Sequence, residues 1–348
     1  MERAEKVRWM RRALHLARLG EAKTAPNPMV GCVIVHPEAG LIGEGWHADF
    51  GGPHAEVHAI ASVKQKELLR ESTVLVNLEP CAHYGKTPPC CNLLIENEVA
   101  EVIIANSDPN PLVSGRGADA LRKAGIRVET GILEAEGRKL NRFFFCAQEK
   151  ERPFITLKWA QTSDGFIGPE DGKPVIISSA ESRLMVHALR SVHQAIMVGR
   201  NTLRNDNPLL NLRNLPGRQP IRIVSDPKLE LPGNLQVFQD KGSPTWILND
   251  SEDGLKGGIR LVKLQHADNL NEVLPRLREQ GINSLLVEGG SNLLMQFLDE
   301  GLWDEAIIFT SPARMQNGIP APDMRGFTIS TSGRSGGDRI DVYSPVSG

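Results

Sequence analysis

The chain has 348 residues, 40 Lys and Arg against 42 Asp and Glu, a formal net charge of -2 and 5% aromatic residues. That length fits roughly two domains of about 150 residues. The near-neutral charge gives no strong footprint for nucleic acid, although a local basic patch would escape such a count. Apolar residues at 40% and charged residues at 24% describe an ordinary globular composition, and five cysteines are too few and too scattered for a disulfide framework. No apolar run approaches the roughly 18 residues of a membrane-spanning helix.

The first stretch, 1–20, is Arg-rich but carries Glu2 and Glu5. Met10, Ala13, Leu14 and Ala17 fall at i, i+3, i+4 and i+7, and Gly20 sits where a helix would stop. It reads as the first helix of the fold rather than as a transit peptide, and without a secretory apolar core the expected compartment is the cytoplasm. Next come a strand pair over 29–35 and 41–45, a helix over 56–64, a strand over 73–78 and a short helix over 92–97. A strand over 101–105, a helix over 117–124, a strand over 126–129 and one long helix over 133–147 complete the half. Strands separated by helices imply a sheet covered on both faces. The polar stretch 148–152 before Pro153 is the expected boundary, dividing the chain into domains 1–150 and 151–348. The second domain alternates likewise. Strands are expected over 154–159, 195–198, 221–225, 245–248, 284–288 and 305–310, and helices over 180–190, 270–280 and 292–298. A Gly/Ser-rich loop over 333–338 precedes a last strand over 340–343.

The strongest chemical signal is His54-Ala55-Glu56, followed by Glu79-Pro80-Cys81 and Pro88-Pro89-Cys90. One imidazole and two thiolates suit a tetrahedral Zn²⁺, one per chain, with one position open, which is the catalytic arrangement. Zinc lowers the pKa of a water in that position to about 7. A carboxylate two residues from the His can sit beside that water, take its proton and pass it to a leaving amine. His-x-Glu with Pro-Cys is the signature of zinc deaminases, which place two residues between their cysteines. Here eight residues, 82 to 89, separate Cys81 from Cys90 and put His83 and Lys86 beside the metal loop. Cys91 is a rival ligand by adjacency, and Cys90 is preferred because it repeats the Pro-Cys step. Cys32 and Cys146 lie in apolar runs and read as core. Gly115-Arg116-Gly117-Ala118-Asp119-Ala120 fits a dinucleotide fingerprint, but 108–114, which should be a strand, reads as a loop. Gly85-Lys86-Thr87 resembles the end of a phosphate loop whose first Gly is replaced by Pro80.

In the second domain two strand-to-helix junctions carry glycine, Val198-Gly199-Arg200-Asn201-Thr202 and Val287-Glu288-Gly289-Gly290-Ser291-Asn292. Free N–H groups at such places can hold a pyrophosphate. Arg190, Arg204 and Arg213 are candidate phosphate partners.

Taken together, the motifs resemble those of the bifunctional riboflavin-biosynthesis enzymes, a pyrimidine deaminase fused to a 5-amino-6-(5-phosphoribosylamino)uracil reductase. The resemblance rests on Pro26-Asn27-Pro28-Met29-Val30-Gly31, His54-Ala55-Glu56-Val57, the unbroken run 78–90, Asp108-Pro109-Asn110-Pro111 and Gly115-Arg116-Gly117. In the second domain it rests on Thr156-Leu157-Lys158, Ser163-Asp164-Gly165, Ala195-Ile196-Met197-Val198-Gly199, Asp206-Asn207-Pro208, Arg213 and Val287-Glu288-Gly289-Gly290. It implies an α/β chain with an N-terminal cytidine-deaminase-like three-layer α/β/α domain and a C-terminal dihydrofolate-reductase-like α/β domain. It implies zinc on His54, Cys81 and Cys90, with Glu56 as proton shuttle and Asn27, His47, His83, Lys86 and Asn110 as substrate contacts. The implied first reaction is hydrolytic loss of the 2-amino group from 2,5-diamino-6-(5-phosphoribosylamino)pyrimidin-4(3H)-one. The second is reduction of the ribosyl group to ribityl by NADPH. Ala160, Thr202, Asp206, Gly290, Ser291 and Asn292 would meet the cofactor, and Arg190, Leu210, Arg213 and Glu288 the substrate. The expected partners are this small molecule and a second copy of the chain through the reductase domain, with no nucleic acid or membrane. One departure stands out: where many members carry Ser-x-Trp-Ile-Thr-Ser, this chain has Pro174-Val175-Ile176-Ile177-Ser178-Ser179, without the hydroxyl and the aromatic platform.

Two rival readings remain at this point. A nucleic-acid deaminase would need a cationic surface and stacking aromatics. A ligand-binding sensor with structural zinc would need a fourth protein ligand, Cys91 or His83.

Overall fold

In the computed structural model, which describes residues 1–84, 88–110, 114–213 and 215–345, the chain divides into two α/β units, Met1–Lys150 and Glu151–Gly348. In the first, β1 (Gly31–His36) pairs antiparallel with β2 (Gly40–Trp46) and with β3 (Thr73–Leu78). The strands β3, β4 (Glu101–Asn106) and β5 (Arg127–Thr130) run parallel, giving the order β2-β1-β3-β4-β5. Every residue of β1 and β3 is buried, as a sheet covered on both faces requires. On one face lie α1 (Arg3–Arg18) and α5 (Glu134–Leu140), where Met10, Ala13, Leu14 and Leu16 pack with Leu140 on Val33, Val35, Leu75 and Ile103. On the other lie α2 (Ala55–Ser62), α3 (Cys90–Glu96) and α4 (Arg116–Lys123), packed through Ala59, Leu94 and Leu121 on Ile34, Val76 and Ile104. The unit is therefore the three-layer α/β/α arrangement.

One expectation needs correction. The helix expected over 133–147 is two helices, α5 and α6 (Arg142–Glu149), separated at Asn141, whose backbone leaves helical geometry. The break has a purpose outside the helix. Asn141 Oδ1 accepts from the Met29 N–H (2.8 Å) and Asn141 Nδ2 donates to the Met29 carbonyl (2.9 Å). Tertiary hydrogen bonds here override an uninterrupted helical pattern.

The second unit is built on a ten-stranded sheet. Its strands are β6 (Phe154–Thr162), β8 (Ala195–Met197), β9 (Ile221–Ser225), β10 (Thr245–Asn249), β11 (Gly254–Lys256), β12 (Ile259–Lys263), β13 (Ser284–Val287), β14 (Glu305–Ser311), β16 (Thr328–Ser335) and β17 (Asp338–Ser344). They lie in the order β11-β12-β10-β9-β8-β13-β6-β14-β17-β16, and a small separate pair joins β7 (Phe166–Gly168) to β15 (Ile319–Pro320). Its helices are α7 (Ala180–Val192), α8 (Arg200–Asp206), α9 (Gln236–Gln239), α10 (Leu270–Glu279) and α11 (Ser291–Asp299). The strands from β12 to β14 pair parallel and bury Ile155, Leu157, Leu285, Val287, Leu274 and Phe297 in one core.

A second correction falls here. The loop expected over 333–338 is instead the tip of an antiparallel hairpin, with β16 and β17 paired through Arg334–Arg339 and Ser335–Asp338. Gly and Ser read as loop because they lack apolar bulk. The strand forms anyway because β17 pairs with β14 and supplies a ladder, and Gly336 at φ +56° makes the turn. Among the described residues no helix is long and apolar enough to cross a membrane.

Candidate functional site

The metal corner is assembled by three element ends. His54 is the extended residue that opens α2, Cys81 follows β3 by a short turn, and Cys90 is the first residue of α3, after Pro89. His54 Nδ1 lies 3.2 Å from Cys90 Sγ and 3.6 Å from Cys81 Sγ. In a tetrahedral zinc site with bonds of about 2.0 Å to N and about 2.3 Å to S, the N···S separation is about 3.5 Å. The two N···S separations therefore stand close to the spacing the ion requires, and all three donor atoms lie within 4.8 Å of one another. Among the described residues no other His, Cys, Asp or Glu joins them. Cys91, the rival ligand, is buried in the core with Leu94, and its thiol is directed to Asn92 Oδ1 (3.5 Å). His83 is exposed on the loop after Cys81. Three protein ligands are the catalytic count, not the structural one.

The electrostatics of the corner follow from its hydrogen bonds. The Cys81 thiol is pulled down to about 4, first by the hydrogen bond from the Cys90 thiol, then by His54 and by the Cys90 backbone N–H at 3.2 Å. Cys90 moves the opposite way, because it gives that hydrogen bond and is buried. Glu56, in the first turn of α2, is 3% exposed and within hydrogen-bonding reach of Cys90. Burial pushes its carboxyl up, towards the range in which an acid can both take and give a proton.

Two expected substrate residues line up beside the corner. The ring of His47 stands edge-on to that of His54, with centroids 5.7 Å apart. Burial lowers the His47 pKa, and His47 Nδ1 faces the Pro53 carbonyl at 3.0 Å. A neutral ring with its proton on Nδ1 leaves Nε2 to accept from Asn27 Nδ2 at 3.2 Å. Asn27 is thereby oriented by a histidine. Its backbone is held two residues on, where Asn77 and Asn141 both donate to the Met29 carbonyl. Neither of these clamps was legible in the sequence, since an isolated Asn in a strand or between helices carries no pattern. Asn110 lies on the segment between β4 and α4, and Lys86 lies outside the described residues.

The second unit holds a cleft of about 900 Å³. Ala160, Thr202, Asp206, Gly290, Ser291 and Asn292, all expected at the cofactor, line it. The two glycine junctions meet there because β8 and β13 are sheet neighbours. The Gly199 N–H donates to the Gly289 carbonyl (3.3 Å), and a Cβ on Gly290, at φ +81°, would come within 3.3 Å of Gly199 Cα and Thr202 Oγ1. Arg190, Arg213 and Glu288 line the same cleft, and so do Pro174 and Ile176 of the departing segment. Arg190 makes a bidentate pair with Glu288 (2.6 and 2.9 Å) and donates to the Asn211 carbonyl (3.0 Å). Burial raises the Glu288 carboxyl, but Arg190 and Lys158 more than offset this, and its pKa is lowered. Lys158 stands 3.8 Å from Glu288; a lysine inside an apolar strand is the sequence signal for it. Leu210 is buried with Val198 and Leu203 and does not line the cleft. It belongs to a segment in which Asn207, Leu210 and Arg213 all adopt positive φ, at 41°, 52° and 51°. Such strain persists only where neighbours over-determine it. Here the fully buried Arg222 donates to the Leu209 carbonyl (3.2 Å), and Gln219 accepts from the Leu212 N–H (2.9 Å).

Comparison with known proteins agrees with both halves. The family described as "Cytidine and deoxycytidylate deaminase zinc-binding region" matches residues 3–106, and the "RibD C-terminal domain" family matches 153–318. The riboflavin biosynthesis protein RibD of Aquifex aeolicus is 41% identical over 322 residues, covering 91% of this chain and 89% of that protein. The Escherichia coli RibD is 38% identical, covering 87% of each. A Thermotoga maritima crystal structure, described as a diaminohydroxyphosphoribosylaminopyrimidine deaminase/5-amino-6-(5-phosphoribosylamino)uracil reductase, shares 35% identity and aligns over 99% of both chains with a TM-score of 0.89. An Acinetobacter baumannii RibD structure shares 33% identity with a TM-score of 0.90. With both family matches and relatives of this identity along nearly its whole length, the chain belongs to the RibD family of bifunctional deaminase–reductases of riboflavin biosynthesis.

Proposed function

We propose that the first unit, 1–150, hydrolyses the 2-amino group of 2,5-diamino-6-(5-phosphoribosylamino)pyrimidin-4(3H)-one and that the second, 151–348, reduces the ribosyl group of the product to ribityl with NADPH. The observation that carries the reading is the His54–Cys81–Cys90 trio at zinc spacing with buried Glu56 beside it. One Zn²⁺ per chain, held by those three residues, supplies a water activated near neutral pH when bound. Glu56 accepts a proton from the attacking water and returns it to the departing amine. One C–O bond forms, one C–N bond breaks, and ammonia leaves. Asn27, fixed by His47, orients the pyrimidine, and His83, Lys86 and Asn110 complete the contacts.

In the second unit Ala160, Thr202, Asp206 and the 290–292 turn hold the nicotinamide cofactor, whose chemistry is hydride donation to C1′. A Cβ would fill the Gly290 cradle, and that close backbone approach suits a pyrophosphate. Arg190 and Lys158 orient Glu288 towards the ribosyl group. Arg213 faces the phosphate, and Leu210 anchors the segment that presents it. Pro174 and Ile176 replace a hydroxyl and an aromatic platform as plain walls of the cleft. Five free cysteines, two of them metal ligands, fit a reducing cytoplasm. Self-association through the second unit fits the exposed outer strand β16. Light scattering that returned a monomer would remove that part.

Product mass after incubation with the diamino substrate tests the whole. Exchange of NH₂ for OH is expected without NADPH, followed by a gain of two hydrogens only with NADPH. No exchange overturns the deaminase reading, and exchange without the second step overturns the reductase reading.

A further inference from the structure

Glu79 stands outside the metal trio, and its carboxylate is nearly enclosed. Oε2 accepts from the backbone N–H groups of Asp108 (3.2 Å) and Gly115 (3.0 Å), and Oε1 from those of Gly117 (2.9 Å) and Ala118 (3.1 Å). Two of the donors, Asp108 and Gly115, lie in the segment joining β4 to α4, which carries Asn110, and the other two, Gly117 and Ala118, lie in the first turn of α4. Within it the Asn110 N–H donates to Asp108 Oδ1 (2.9 Å) and the Asn110 carbonyl accepts from the Ser114 N–H (2.8 Å). One carboxylate, two residues before Cys81, thus ties down the chain on both sides of Asn110. This also accounts for the Gly115-Arg116-Gly117 pattern. A Cβ at Gly117 would stand 2.1 Å from the Pro80 carbonyl oxygen, so only glycine brings the start of α4 to Glu79. The N–H groups that meet a pyrophosphate in a dinucleotide fingerprint meet an internal carboxylate here. Charge-assisted bonds of this kind are roughly twice as strong as neutral ones, and four of them converge.

We infer that Glu79 is a positioning residue for deamination: by holding Asp108 and the start of α4 it keeps Asn110 in a fixed place relative to Cys81. The inference rests on the substrate role proposed for Asn110. The test compares full-length, zinc-loaded wild type with Glu79→Gln, Asn110→Ala and the double variant. Gln keeps the size of the side chain but replaces one acceptor oxygen with NH₂. In E79Q, KM for the diamino substrate is expected to rise about 10-fold with kcat within about 3-fold of wild type. Zinc content and NADPH oxidation on the deaminated product should stay at wild-type levels. The double variant should be little worse than N110A, because the two residues act through one contact. If E79Q is insoluble, Glu79→Asp, which keeps the charge but shortens the reach, carries the same expected KM shift. An unchanged KM, a parallel loss of zinc, or multiplying effects in the double variant overturns the inference while wild type still deaminates. A wild type that does not deaminate overturns the underlying reading, and the inference with it.

Discussion

The metal corner of the first unit and the cleft of the second are built from different materials. The corner is made of side chains whose chemistry is rare: an imidazole, two thiols and one buried acid, each at the end of a strand or the start of a helix. The cleft is lined by two glycine turns brought together by neighbouring strands, by Arg213 at the end of a segment with three left-handed residues, and by Arg190 paired with Glu288. The difference teaches that the corner depends on a few reactive side chains, whereas the cleft depends on how segments far apart in the chain are brought together, with Pro174 and Ile176 forming part of its wall.

The sharpest separation of the two sites is metal removal. Chelation should abolish deamination and leave NADPH oxidation on the deaminated product at its starting rate; equal loss of both would erase the contrast. Slightly smaller is Glu56→Gln, expected to lower deamination by about 10³-fold with zinc retained, the scale of a lost proton shuttle. Metal analysis showing zinc lost with activity would instead make Glu56 a support of the ion.

In the second unit, Glu288→Gln leaves Arg190 and Lys158 without their anion and should cost about 3 kcal/mol in urea unfolding of that unit. The Glu288 pKa is lowered in the folded chain. Its contribution is therefore complete above the ordinary carboxyl range and disappears as pH falls through the lowered value. Wild type and variant should converge in acid and diverge at neutral pH; a constant gap would mean that packing, not the ion pair, sets the difference. Arg213→Ala should raise KM for the phosphoribosyl substrate of reduction about 10-fold, with deamination unchanged. The smallest effect is expected at Cys91→Ala, about 1 kcal/mol of stability with full zinc content, because this thiol is buried beside the corner and takes no part in it.

The same contrast governs how much could be read without coordinates. The strand 73–78 and the helix over Met10, Ala13, Leu14 and Ala17 follow from hydrophobic period alone, and the structure keeps them. The trio and Glu56 were legible because His-x-Glu and two Pro-Cys steps carry spacing information. The break at Asn141 was not, because an asparagine interrupts a helix only when a distant backbone, here Met29, needs its amide. The hairpin of β16 and β17 was not, because Gly and Ser become strand only beside a partner ladder. Glu79 lay in plain view inside the motif, yet a glutamate announces nothing until its four donors, at 108, 115, 117 and 118, fold over it.

The amino-acid order by itself determined those elements whose apolar pattern is unbroken, and the chemistry of the metal ligands, because period and residue type are local properties. Tertiary structure alone decided which ring nitrogen of His54 faces the thiols and which way Asn27 is turned. It also decided that two glycine turns far apart in the chain share one cleft. Each of these depends on distances between segments, and sequence spacing does not encode such distances.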